Sequence, residues 1–139
     1  ESRTLSCVQP LAEPTADTAE GRVYTFGQNP LLLQQLSLHL AQGEQALRWR
    51  RNGEEGVLPF GTGRNIITVL PGTACRCAVS GAWREEKQFL IKVQLIAERI
   101  GNILMQLNFS GSRLSVMMRQ FAEEPFDGFD GFAEGIYVG

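Results

Sequence analysis

The chain has 139 residues, 43% of them hydrophobic and 20% charged, with 15 acidic against 13 basic side chains and a formal net charge of −2. That length holds one domain with a real core, and the composition is that of an ordinary globular protein. The balance gives no ground for nucleic-acid or anionic-membrane binding, and no apolar run approaches the roughly 20 residues needed to cross a bilayer.

The first residue is Glu1, with no charged and then apolar leader behind it. The expectation is a processed protein or an excised domain that has lost a signal peptide or an upstream domain. Residues 1–20 contain Pro10 and Pro14 and lack sustained periodicity, so they read as a linker or flexible tail. The ordered β-domain is expected over residues 21–122. It opens with a short strand around Val23, Tyr24 and Phe26, and Asn29-Pro30 turns the chain. Residues 31–40 have helical propensity, yet Leu36, Leu38 and Leu40 alternate with Ser37, His39 and Ala41; a strand with a polar outer face is predicted.

Leu47 and Trp49 then alternate with Arg48 and Arg50, and Asn52-Gly53 marks a hairpin. Val57-Leu58-Pro59-Phe60 pairs back, at a sheet edge because of the proline. Gly61-Thr62-Gly63 leads into a strand over 65–70, and Pro71-Gly72 turns into another over 75–82. Three clear period-two runs follow. Phe89, Ile91, Val93 and Leu95 share one face, as do Ile103, Met105, Leu107 and Phe109, and then Leu114, Val116 and Met118. Turns this short join antiparallel strands, because parallel ones need long crossovers. The prediction is therefore an all-β antiparallel meander of about 8–10 strands closing into a barrel or a sandwich. Residues 123–139 are a Phe/Asp/Gly-rich tail in which Phe126, Phe129 and Phe132 recur every third residue. That spacing suits neither a strand nor a helix, and implies a strap across a sheet or a disordered end that covers a partner.

Candidate sites are few. Cys75 and Cys77 face the same way on their strand and read as small apolar fillers, since zinc wants four ligands and only Cys7 and His39 remain. Glu123, Glu124, Asp127 and Asp130 lack the alternating acids of a calcium loop and read as an acidic tail. Gly61-Thr62-Gly63-Arg64 lacks the third glycine and the helix of a dinucleotide loop and reads as a turn. Arg48, Arg50 and Arg51 around Trp49 form a basic-aromatic cluster, read as a solvated face over an inward tryptophan. His39, the sole histidine, belongs to a polar strand face.

Pro59-Phe60-Gly61-Thr62-Gly63, the stretch from Cys75 to Trp83, residues 89–98 and residues 104–109 succeed one another in a familiar order. Residues 21–120 resemble the C-terminal accessory β-domain of bacterial serine hydrolases related to penicillin-binding proteins and class C β-lactamases. In that family an arginine-led apolar stretch reaches a Ser-Gly-x-Trp turn, then a long strand ending in glutamate. Arg76, Ser80-Gly81, Trp83 and Glu98 match in order. The chain departs from the family at Arg64-Asn65, where an aromatic follows the glycine pair. The hydrolase's own Ser-x-x-Lys, Tyr-x-Asn and Lys-Thr-Gly elements are absent, Lys87 and Lys92 being the only lysines. The resemblance implies a non-catalytic domain that packs on a hydrolase domain of the same polypeptide or shapes substrate access, with no cofactor and no metal. Arg76, Trp83, Glu98 and Trp49 are the binding candidates. The alternative is a free-standing lipocalin-like barrel holding a small apolar ligand.

Overall fold

The computed structural model describes residues 7–8, 20–41, 45–96, 101–122 and 128–138. Within them ten strands form one antiparallel sheet: β1 (Tyr24–Phe26), β2 (Leu33–His39), β3 (Ala46–Arg51), β4 (Glu54–Pro59), β5 (Ile66–Val69), β6 (Arg76–Glu85), β7 (Gln88–Leu95), β8 (Gly101–Ser110), β9 (Arg113–Ala122) and β10 (Gly131–Tyr137). Their order, β4-β3-β2-β1-β10-β9-β8-β7-β6-β5, is a meander into which the last strand inserts beside the first. The sheet curls into a nearly closed barrel with β4 and β5 at its two edges. No ladder joins those edges among the described residues. Beyond β4, however, Gly61 bridges Ser80: the Gly61 N–H donates to Val79 O at 3.3 Å and the Gly81 N–H donates to Gly61 O at 2.9 Å. The seam is thus clipped at one end.

The predicted alternation sets the two faces of the barrel wall. Phe89, Ile91, Val93 and Leu95 of β7 face inward, opposite Leu107, Met105, Ile103 and Gly101 of β8. Leu114, Val116 and Met118 of β9 continue that interior. The β3–β4 hairpin turns at Asn52 (φ 49°) and Gly53 (φ 81°), two left-handed residues in succession, as the right-handed twist of a two-residue loop demands. The other wall begins at a knot: Asn29 Oδ1 accepts from the Leu31 and Leu33 N–H groups (3.0 and 3.1 Å), and Nδ2 donates to Gly27 O and Leu33 O. Those bonds hold Leu32 at φ 60°, a conformation that costs a non-glycine residue about 1–2 kcal/mol.

The strap or disordered end expected at the C-terminus is replaced, over 131–137, by β10, which pairs with β1 on one side and β9 on the other. Its inward residues are Ala133 and Gly135, too small to register as an apolar face. The ring of Phe26, the register partner of Gly135, fills the space a side chain there would take; a Cβ on Gly135 would lie 2.7 Å from it. Phe129 is buried in the core and Phe132 is half-exposed, while Phe126 lies outside the described residues. In the segment read as a linker, Val8 is buried and its N–H donates to Ser80 Oγ at 2.9 Å. That contact helps explain why Ala78, Ser80 and Ala82, on the outer face of β6, are as buried as the residues on its inner face.

Candidate functional site

Alternation along β6 sends Trp83 inward, where it is 5% exposed, and leaves Arg76 outside at the opposite end of the strand. Seven residues at about 3.3 Å each separate them by roughly 23 Å, so these two candidates do not converge. Glu98 lies outside the described residues. Trp49 is also inward, on β3, at the other end of the barrel from Trp83.

Trp83 belongs to a chain of rings across one mouth. Phe60 and Phe89 have centroids 5.4 Å apart, Phe89 and Trp83 5.2 Å with planes at 83°, and Trp83 and Phe109 5.8 Å. Tyr24 continues it at 6.0 Å from both Phe109 and Tyr137. Edge-to-face pairs at these spacings add about 0.5–1.5 kcal/mol each beyond the area they bury. The rings pack closely against Gly81. A Cβ on Gly81 would come within 2.9 Å of Phe89, 3.1 Å of Phe60 and 3.2 Å of Ile91. This end of the barrel is stoppered by its own side chains.

The opposite mouth is closed by Trp49 and Phe129, 6.4 Å apart. Arg51 lies over Phe129, its guanidinium carbon 4.0 Å from the ring centre. Its Nε donates to Leu31 O (3.1 Å) and its Nη2 to Gly128 O (3.0 Å). Burial lowers the pKa of Arg51, but a guanidinium keeps its charge at any physiological pH. Arg51 therefore fastens β3 to the β1–β2 turn and to the approach to β10. Beside it a shallow cleft of about 220 Å³ is lined by Trp49, Arg51, Glu54, Glu55, Thr73 and Phe129.

Cys75 and Cys77 are both buried in the core, with free thiols. Burial, with the neighbouring Cys75 adding to it, pushes the Cys77 thiol up to about 12. A thiol so placed stays protonated at neutral pH and packs as a small apolar side chain. On the outer wall Ser37 Oγ and His39 Nε2 are 2.9 Å apart, a pairing the sequence reading did not draw, although i, i+2 spacing on one strand face was the available signal. Among the described residues His39 donates no hydrogen bond to a carboxylate that would complete a triad. Of the acids weighed for calcium, Asp130 is exposed, and Glu123, Glu124 and Asp127 lie outside the described residues.

The outer surface around the seam carries two further hollows. One, of about 330 Å³, runs along β3, β4 and the start of β5 between Arg48 and Arg64, over Ala46, Val57, Pro59 and Ile66. The next, of about 140 Å³, adjoins it at Arg48 and includes Gln35, Ser37 and Arg50. Counting back from the Asn52-Gly53 turn predicts the cross-strand pairs Arg50↔Glu55 and Arg48↔Val57 seen in the structure. Nothing local in the sequence brings Arg64 beside them; that depends on barrel closure. Comparison with protein-family models and with curated proteins returns no match for this chain.

Proposed function

We propose that this barrel is a non-catalytic accessory domain that works through its outer surface, docking on a protein partner, and that the partner is a serine hydrolase of the penicillin-recognising kind. The observation that carries the first half is an apolar interior whose two mouths are closed by rings. Leu47, Leu58, Val79, Ile91, Val93, Ile103, Met105, Leu107, Leu114 and Val116 are each fully buried, and rings occupy both mouths. A lipocalin-like ligand site needs an interior hollow with an open mouth; rings stand in both mouths here, which favours the outer wall as the place for recognition. The second half rests on the order Arg76, Ser80-Gly81, Trp83 and Glu98 in the sequence.

In this reading Trp83 and Gly81 shape the barrel end and Arg76 is available to a partner, while the chain supplies no nucleophile of its own. The test is co-elution of the purified chain with a penicillin-recognising serine hydrolase domain from the same source, the hydrolase tagged by fluorescent penicillin. A shift of the label to the size of the complex is expected, with no nitrocefin hydrolysis by the chain alone. Separate elution overturns the hydrolase partner. Nitrocefin turnover above that of heat-denatured protein overturns the non-catalytic assignment.

A further inference from the structure

The geometry points to the seam between β4 and β5 as a docking groove for an extended, carboxylate-bearing peptide segment. Among the described residues every other strand of the barrel has a ladder on both sides, while β4 has only β3 and β5 only β6. Edge strands with unpaired backbone groups are templates for a further strand, and β-strand addition is one of the common ways a protein captures a peptide. The means by which edges are usually blunted are incomplete here. Pro59 interrupts the edge of β4 and Glu55 puts one charge on its outer face, but the remaining exposed side chains that flank the seam are apolar: Val57 is 49% exposed, Ile67 49% and Val69 46%.

The charge on the groove selects the occupant. Arg48 stands at one wall and Arg64 at the other; the adjoining hollow holds Arg50 and, across the ladder from it, Glu55, so three cations share this face with one carboxylate. All three are exposed, and none has a hydrogen bond or ion pair among the described residues. In a chain of net charge −2 that local excess of cations is a feature of this face and not of the whole protein. Guanidinium groups bind carboxylates through paired N–H donors. Between the arginines the floor is Ala46, Val57, Pro59 and Ile66, which suits apolar side chains alternating with the acidic ones, as the pleat of an extended chain presents them. A nucleic acid fits less well, because the floor offers no exposed ring on which bases stack.

These grounds are the groove's own residues and stand apart from the hydrolase assignment; failure here leaves the co-elution test untouched. The probe is a fluorescein-labelled ten-residue peptide in which Glu alternates with Val, titrated with the full chain and followed by anisotropy. Saturable binding is expected, weakened at least ten-fold by Arg48→Ala combined with Arg64→Ala and left unchanged by Arg113→Ala, whose side chain pairs with Glu134 on another wall. Hydrogen exchange of the amides in 55–58 and 66–69 should slow in the complex. A circular-dichroism melt checks that the double variant is folded. Absence of saturable binding overturns the proposal, as does equal binding to the double variant. Binding of labelled ten-residue oligothymidylate as tightly as the peptide also overturns it, since the groove would then be reading polyanion charge alone.

Discussion

Single residues carry the closure of the barrel. Gly81 lies where Phe60, Phe89 and Ile91 converge, and a methyl group there has no space. Gly81→Ala should therefore lower stability by about 1–3 kcal/mol, the usual cost of overpacking, measured as a fall in the urea midpoint with an unchanged slope. A neutral result would mean that this end of the interior is hollow, and would revive a ligand cavity. Cys77 offers a pH signature. Its folded pKa is about 12 against an ordinary 9.0. Between these values the unfolded chain releases the proton and the folded chain keeps it, so the native state binds more protons and stability falls as pH rises. Below pH 9 the group contributes no pH dependence. The descent should be at most about 1.4 kcal/mol per pH unit and should flatten in Cys77→Ala, as followed by urea unfolding from pH 8 to 11.

At the scale of elements, β10 matters out of proportion to its apolar content. Among the described residues it alone pairs with both β1 and β9, so it joins the half of the wall made by β1–β4 to the half made by β5–β9. Removing residues 131–139 opens two new edges in the middle of the sheet and uncovers Phe26 and Met118. The expected outcome is loss of the cooperative thermal transition and of near-ultraviolet circular dichroism; a truncated chain that still melts sharply would contradict this placement. The strands from β6 to β9 were legible because large residues recur at period two on their inner faces. β10 was not, because Ala133 and Gly135 hold that face and the ring filling it belongs to Phe26, more than a hundred residues earlier. Likewise Phe129 is read as part of a sticky tail until Trp49 and Arg51 are brought against it.

For the whole molecule, both proposals place recognition on the outer surface of the nearly closed barrel, along a seam that carries exposed apolar side chains and arginines, and the co-elution and peptide titrations above test them separately. The sequence by itself determined the antiparallel all-β class. Period-two alternation and short turns leave little else, since each strand must bury one face and cannot reach a parallel neighbour in so few residues. It also determined which residues of β3 face the core, because the Asn52-Gly53 hairpin pins the register on both sides of it. The tertiary structure alone decided that the strands form one sheet curled into a nearly closed barrel, made continuous by β10 pairing with β1. It decided that Arg76 and Trp83 stand apart and that Arg48 and Arg64 share a groove. Those placements depend on contacts between strands distant in the chain, and a pattern of nearest neighbours carries no information about which distant edges meet.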